Sequence, residues 1–194
     1  MKLILASQSP RRKEILSRLN IPFEVIVSDV DESMFTRDGS PSDYAQELAS
    51  IKCSNISEKY SDYVVIGADT IVIINDKIMG KPNSKQDAIN TLRTLSGNTH
   101  RVITAISIQC RKNNINHTFY EQTAVTFRQI PSEYISIYVD SESPYDKAGS
   151  YGIQDWSAIF VEKINGCYDN VVGFPLSRFV FELEKIDIKL NEIS

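Results

Sequence analysis

The stretch LILASQSPRRKEIL, residues 3–16, places a short apolar run directly before a polar turn and a helical pattern. The apolar run KLILA (2–6) predicts a buried strand. Ser9 followed by Pro10 is typical of a helix with a side-chain cap and a proline in its first position, and we expect this helix to reach about Asn20. A strand that leads directly into a helix favours an α/β fold.

Strand and helix patterns alternate along the rest of the chain. The segments that predict strands are FEVIVS (23–28), YVVIGADTIVIIN (63–75), THRVITAISIQC, HTFYEQTAVTFRQ and AIFVEKING. Further helices are predicted to begin at Ser40, Ser84 and Pro131, and within PLSRFVFELEKI. One long antiparallel hairpin among alternating elements predicts a mixed sheet flanked by helices. Because no linker, repeat or low-complexity segment interrupts the pattern, we expect one domain over residues 1–194.

The composition limits the classes of function. The net charge of −4 argues against a nucleic-acid-binding module or a binder of anionic membranes, whose affinity comes largely from neutralising phosphates. A local cluster of cations can still bind a small anion. Cys53, Cys110 and Cys167 follow no metal-binding spacing, and unpaired thiols indicate a cytoplasmic protein. The first apolar run is too short for a signal peptide, and no run approaches the roughly 18 residues of a membrane span.

The opening stretch places basic side chains where a helix disfavours them. The amino terminus of a helix carries unpaired N–H groups and a partial positive charge, so Arg11, Arg12 and Lys13 need compensation there. A phosphate group held beside Ser7 and Ser9 supplies that compensation. The alternative is that the basic side chains extend into solvent, and the stretch alone does not decide between the two. It contains no Walker A motif.

Carboxylates appear in two informative places. The loop that carries Asp29, Asp31 and Glu32 follows a predicted strand and suits a hard divalent cation that also takes phosphate oxygens; the alternative is a solvated acidic loop. Asp69 lies inside the apolar run GADTIV, where an ionised carboxylate is costly unless it is paired or binds a metal. Such a residue is a candidate general base, and the alternative is a structural aspartate that accepts backbone hydrogen bonds.

Several single residues are weaker candidates for a functional site. Lys52 on a helix and Lys81 in the turn GKP are point charges for phosphate or simply solvated lysines. For His100, which follows LSGNT, we expect a structural hydrogen bond. The loop DKAGSYGIQ (146–154) brings glycine backbone and the amide of Gln154 towards a ligand, although one glycine-containing loop is a weak signal.

Seven segments, taken in order, resemble the Maf family of nucleoside triphosphate pyrophosphatases. They are SxSPRRxEIL, DxDE, ADTIV, GKP, LSGxxHxVxT, DKAGSYGIQ and INGxYxNVVGxP, and together they extend over about residues 2–185. The GSYGIQ form of the glycine loop is similar to the branch that acts on dTTP and UTP, rather than the branch that acts on 7-methyl-GTP.

The resemblance implies a fold, a reaction and site residues. The fold is a mixed, twisted sheet flanked by helices, in two lobes around a central cleft, as in inosine triphosphate pyrophosphatases. The reaction converts a nucleoside triphosphate and water to the monophosphate and pyrophosphate with Mg²⁺, Mn²⁺ or Co²⁺, and a homodimer is plausible. The implied roles are catalytic proton acceptor for Asp69, substrate specificity for Arg12, Thr70 and Gln154, cation binding for Glu32 and Asp69, and phosphate binding for Ser9, Arg11, Lys52 and Lys81. We add Ser7 to the residues expected to bind phosphate, because it lies in the same turn as Ser9.

One position departs from the family pattern. The family usually has a glycine after GIQ, whereas this chain has Asp155 followed by Trp156. The change alters the charge and flexibility of the loop and leaves the pyrimidine preference open. Two other functions remain as alternatives: the 7-methyl-GTP branch, and a nucleotide-binding regulator of septum formation that turns over little or no nucleotide.

Overall fold

The computed structural model describes residues 1–35, 39–141 and 143–193. Its strands are β1 Leu3–Ala6, β2 Glu24–Val25, β3 Val64–Ile74, β4 Lys77–Met79, β5 Thr99–Cys110, β6 Ile115–Phe127 and β7 Val161–Asn165. Its helices are α1 Pro10–Ser17, α2 Pro41–Ser57, α3 Lys85–Leu95, α4 Ser132–Val139, α5 Tyr168–Val172 and α6 Leu176–Lys185.

The strands form one mixed sheet in the order β2-β1-β3-β5-β6-β7, and β4 pairs with β3. Strand β1 runs parallel to both β2 and β3, whereas the β3–β4 and β6–β7 pairs are antiparallel. The turn between β3 and β4 consists of Asn75 and Asp76, both with positive φ (49° and 59°), as a two-residue hairpin requires. The predicted mixed α/β sheet is therefore confirmed.

The chain divides into two compact units. The first unit comprises Met1–Asp69, Thr104–Glu121 and Gly173–Ser194, and the second comprises Thr70–Ile103 and Gln122–Val172. In the first unit a buried cluster joins β1, α2 and β3 through Ile4, Ala6, Cys53, Ile56 and Val65. In the second unit the core gathers residues of α3, α4 and the sheet, including Val72, Leu92, Val125, Phe127 and Phe160. The two units agree with the predicted lobes, and the central cleft stays a prediction.

Three local features differ from the expectations. Strand β2 covers only Glu24–Val25 instead of 23–28, because just two residues pair with β1 at the sheet edge. Helix α1 ends at Ser17 because the chain then tightens into a turn that brings Asn20 to a φ of 54°. Helix α5 was not predicted, since five residues are too few to show a helical period.

The cysteines agree with the expectation of unpaired thiols: Cys53 and Cys110 are buried and Cys167 is half-buried, all without a disulfide. Among the described residues, no helix has both the length and the apolar character needed to cross a membrane.

Candidate active site

The turn between β1 and α1 is built by two serines and an arginine. Ser9 caps α1, since its Oγ accepts a hydrogen bond from the backbone N of Arg12 at 3.4 Å. The Oγ of Ser7 lies 3.2 Å from the backbone N of Ser9 and 3.3 Å from Nη1 of Arg12. Arg12 Nε donates to the carbonyl oxygen of Gly173 at 3.0 Å. The Arg12 side chain therefore folds back over the start of its own helix and does not extend into solvent.

Next to this turn in the first unit, one lysine joins two carboxylates. The Nζ of Lys52 on α2 lies 2.6 Å from Oδ1 of Asp69 and 2.8 Å from Oε1 of Glu32. The side chains of Lys52 and Asp69 are 12% and 9% exposed, whereas that of Glu32 is 48% exposed. A buried acceptor and a solvent-accessible acceptor therefore converge on the same ammonium group.

Gly67 explains how α2 comes close enough for this contact. A Cβ at Gly67 would lie 2.2 Å from the carbonyl oxygen of Ala49 and 2.7 Å from the backbone N of Cys53. The backbone of α2 thus lies directly against β3, two residues before Asp69, at a spacing that only glycine permits. Lys52 lies between those two contact residues on the helix, so its side chain reaches Asp69.

Burial and charge oppose each other at this cluster. Burial raises the pKa of Asp69, while the charges of Lys52 and Arg12 act to lower it and that of Glu32 adds to the rise. Burial also lowers the pKa of Arg12, which the Asp69 carboxylate partly offsets. A buried carboxyl group with a raised pKa among cations is the environment of a general base.

The same two carboxylates suit a hard divalent cation. Asp69 Oδ1 and Glu32 Oε1 approach one point, the Nζ of Lys52, so a single small cation can contact both. Within the described ranges no group of three or more His, Cys, Asp or Glu side chains could hold a metal ion. A cation bound here therefore needs further oxygen ligands, which a triphosphate supplies.

The second unit contains the other predicted site residues. Thr70 follows Asp69 in β3 and is half-buried, while Lys81 and Gln154 are exposed. The glycine loop is fixed to this unit by Gly149, whose backbone N donates to the carbonyl oxygen of Gly80 at 3.1 Å. Gly149 has a φ of 70°, and a Cβ there would lie 2.9 Å from the Val72 side chain. The loop that carries Gln154 therefore lies directly on β3 and on the segment that carries Lys81.

His100 and Tyr151 anchor the same loop. The Nε2 of His100 lies 2.7 Å from the hydroxyl of Tyr151, and both side chains are buried. Burial lowers the pKa of His100 to about 4, so the imidazole is neutral near pH 7. Burial raises the pKa of Tyr151 well above its usual range. The predicted structural hydrogen bond of His100 is thus confirmed.

Asp155, where the family pattern has glycine, has a structural role in this loop. It caps a short 3₁₀-helix, Trp156–Phe160, by accepting a hydrogen bond at Oδ1 from the backbone N of Ser157 at 2.9 Å. Its Oδ2 accepts from the Ser143 hydroxyl at 2.6 Å and lies 3.4 Å from Nζ of Lys147. The ring of Trp156 stacks on Tyr138, with centroids 5.9 Å apart. Asp155 and Trp156 therefore hold the loop in place through hydrogen bonds and ring stacking.

Sequence reasoning missed two contributors to the site. Gly67 was part of a quoted motif, but its meaning depends on how closely α2 approaches β3. The carbonyl oxygen of Gly173 lies 161 residues along the chain from Arg12, and no local pattern signals that pair.

The chain is similar along most of its length to proteins of known family. A family model described as "Maf-like protein" matches residues 2–186. The dTTP/UTP pyrophosphatase of Bacillus cereus is 48% identical over 190 residues, which is 98% of each chain. That of Bacillus anthracis is 49% identical over 190 residues, with the same coverage, and that of Bacillus mycoides is 48% identical over 186 residues, 96% of each chain. The solved structure of the Staphylococcus aureus Ham1 protein covers 66% of this chain and 72% of its own, at 16% identity and a TM-score of 0.47.

Proposed function

We propose that this chain, which belongs to the family of Maf-like proteins, hydrolyses dTTP and UTP to the nucleoside monophosphate and pyrophosphate. The relatives named dTTP/UTP pyrophosphatases align with it almost from end to end, at 48–49% identity. That coverage supports the whole activity for this chain and favours it over the 7-methyl-GTP branch.

One observation carries the chemistry of this proposal: a buried carboxylate, Asp69, lies 2.6 Å from the ammonium group of Lys52, and Arg12 is close enough to influence its pKa. A site that only bound an anion would have no use for a buried carboxylate, which repels phosphate. A hydrolase needs such a group, because it must remove a proton from water next to a highly charged substrate.

In the proposed reaction Asp69 takes a proton from a water molecule as its oxygen attacks the α-phosphorus. The new bond joins that oxygen to the α-phosphorus, and the bond from the α-phosphorus to the oxygen bridging to the β-phosphorus breaks. The electron pair leaves with pyrophosphate. The raised pKa of Asp69 suits this role, since a base works best when its pKa approaches the working pH.

The cations of the first unit bind the triphosphate. Arg11, Arg12 and Lys52 offset the charge of the phosphates and of the transition state, and the family resemblance assigns the same role to Lys81. The hydroxyls of Ser7 and Ser9, together with N–H groups at the start of α1, lie where phosphate oxygens are expected. Glu32 and Asp69 would hold a divalent cation, which when bound supplies positive charge opposite the leaving pyrophosphate.

The nucleobase distinguishes dTTP and UTP from other nucleoside triphosphates. Gln154 is exposed on the anchored glycine loop, and its side-chain amide offers one donor and one acceptor. These match the neighbouring acceptor and donor on the edge of uracil and thymine. We therefore assign base selection to Gln154, with Thr70 and Arg12 as further specificity positions.

The test is pyrophosphate release from purified protein with dTTP, UTP, CTP, ATP and 7-methyl-GTP. Each nucleotide is supplied with Mg²⁺, Mn²⁺, Co²⁺ or EDTA. We expect release from dTTP and UTP that EDTA abolishes, and little release from the others. Preference for 7-methyl-GTP would contradict the substrate assignment. Binding of dTTP without turnover in any metal would contradict the enzymatic function and favour the regulator of septum formation.

Cellular location and assembly belong to the same proposal. The free thiols support work in the reducing cytoplasm, and the net charge of −4 favours small nucleotides over nucleic acid or anionic membranes as partners. The homodimer rests on the family resemblance alone, and light scattering of the purified protein tests it.

A further inference from the structure

Lys52 occupies the point that a divalent cation would need. Its Nζ contacts Asp69 at 2.6 Å and Glu32 at 2.8 Å, and these are the two carboxylates assigned to the cation. Two positive charges cannot share one position between the same pair of oxygens, because their repulsion at that distance is large in a poorly solvated site. Lys52 and the divalent cation are therefore competitors.

The charges around this position make the competition unequal. Besides Lys52, Arg12 interacts electrostatically with both carboxylates, and Arg11 is near enough to affect Arg12. Lys52 and Arg12 thus already act on Asp69 and Glu32, and Arg11 adds positive charge beside Arg12. Bringing a doubly charged ion into this set without adding negative charge is electrostatically unfavourable.

A triphosphate reverses the balance. Its oxygens attract the same cations, and Lys52, with a long flexible side chain, can turn from the carboxylates to a phosphate group. Each carboxylate that loses its ammonium partner becomes available to a divalent ion, and the phosphates provide the further ligands that two carboxylates lack.

We propose that the Lys52 ammonium group is the internal counter-ion of Asp69 and Glu32 in the nucleotide-free protein, and that a divalent cation enters this position only together with the triphosphate. The proposal rests on the proposed function, since it makes the cation–triphosphate pair the substrate. It assigns Lys52 two successive partners, the carboxylates before binding and phosphate afterwards.

The experiment measures binding of Mn²⁺ alone, without nucleotide, by isothermal titration calorimetry and by electron paramagnetic resonance. A buffer at about pH 8 is used because alkaline pH favours the ionised form of Asp69, whose pKa is raised by burial. We expect wild-type protein to bind Mn²⁺ weakly and Lys52→Met to bind it about tenfold more tightly or better, a change that corresponds to about 1.4 kcal/mol.

Two variants serve as controls. Lys52→Arg keeps the positive charge and should bind Mn²⁺ as weakly as wild type. Lys189→Met removes the same charge from an exposed position of the first unit and should also behave as wild type, which excludes an effect of net charge. The proposal would be overturned if Lys52→Met and wild type bound Mn²⁺ with equal affinity. It would also be overturned if wild type bound Mn²⁺ tightly without nucleotide.

A second readout covers the case in which Lys52→Met folds poorly. A ligand that binds only the folded state raises the melting temperature according to its affinity. Wild-type protein should therefore gain stability from Mn²⁺ only when a non-hydrolysable dTTP analogue is also present, and a full gain from Mn²⁺ alone contradicts the proposal. Because neither readout uses turnover, a failure of the proposed pyrophosphatase activity is distinguished from a failure of this inference.

Discussion

Asp69 meets two opposed demands as a single residue. Its burial in β3 raises its pKa, and its cationic neighbours act to keep it ionised. Without those neighbours the pKa of the buried carboxyl group would rise further and its ionised fraction would fall, whereas an exposed aspartate would be a weaker base. Reactivity at this residue therefore depends on Lys52 and Arg12 as much as on the carboxylate itself.

Replacing Asp69 with asparagine tests that conclusion. The amide has the same shape but cannot accept the proton, so kcat on dTTP should fall by about 10²- to 10⁴-fold. Binding of the non-hydrolysable analogue, measured by calorimetry, should persist because the cations remain. A kcat close to that of wild type would show that another group is the base.

His100 supports a second prediction at this scale, on pH and stability. Its pKa is about 4 in the folded protein and 6.5 in the unfolded chain, so the unfolded state binds the extra proton first as the pH falls. The free energy of unfolding should therefore decrease from pH 6.5 down to about pH 4, by about 3 kcal/mol from this residue. Urea unfolding of wild type and His100→Gln across this pH range measures the decrease in the free energy of unfolding. The part of that decrease due to His100 should be absent in the variant.

Tyr151→Phe is the matched control for that experiment. It removes the hydrogen bond but keeps the buried imidazole, so the loss of stability in acid should remain. If Tyr151→Phe loses the acid dependence as completely as His100→Gln, the hydrogen bond and not the imidazole titration is responsible.

At the scale of elements, the contact between α2 and β3 determines where Lys52 can reach. Gly67→Ala would place a methyl group 2.2 Å from the Ala49 carbonyl oxygen, which forces the helix away from the strand. We expect a stability loss of about 1–3 kcal/mol together with a lower kcat, because Lys52 no longer lies at hydrogen-bond distance from Asp69. Chemical denaturation and steady-state kinetics measure both effects.

Cys53→Ala separates these two effects. Its thiol donates to the Val65 carbonyl oxygen at 3.0 Å in the same helix–strand contact, so the variant loses stability while the backbone spacing stays unchanged. Its kcat should therefore match that of wild type. An equal loss of kcat in both variants would mean that stability, and not the position of Lys52, explains the result for Gly67→Ala.

The glycine loop gives a second element-scale prediction, at the position where the chain departs from its family. Asp155→Gly restores the usual residue but removes the cap of the 3₁₀-helix and the bond to Ser143. We expect a stability loss of about 1 kcal/mol and faster amide hydrogen exchange around Gln154. Asp155→Asn keeps a capping oxygen and should exchange more slowly than the glycine variant; identical exchange in both would contradict the anchoring role.

These elements also show what a sequence can predict. The helix starts at Ser9–Pro10 and at Ser40 follow from neighbouring residues, and the structure confirms both. Lys52 and Asp69 were each recognised as candidates, but their contact depends on how a helix and a strand approach each other. The partner of Arg12 is a backbone carbonyl oxygen. Every residue has one, so the sequence does not reveal which of them Arg12 contacts.

The whole molecule divides the predicted work between its two units. The proposed proton acceptor, the proposed cation-binding carboxylates and most of the proposed phosphate-binding residues belong to the first unit, while Thr70, Lys81 and Gln154 belong to the second. Every nucleoside triphosphate has the same three phosphates, whereas the base differs from one to the next, and dTTP also lacks the 2′-hydroxyl of UTP, CTP and ATP. Changes at Asp69, Glu32 and Lys52 should therefore affect all substrates alike, and changes at Gln154 should alter their ratio.

Gln154→Ala is the variant that tests this division. Loss of the amide should lower kcat/KM for dTTP and UTP by about tenfold, equivalent to about 1.4 kcal/mol, and leave the low activity on CTP and ATP unchanged. Gln86→Ala, an exposed glutamine on α3 in the same unit, should change neither. Asp69→Asn should lower kcat/KM for all four nucleotides by a similar factor. An equal loss on all four in Gln154→Ala would instead place Gln154 among the residues that act on the phosphates, because UTP, CTP and ATP differ only in the base and the loss of a residue that contacts the base should change the ratio between them.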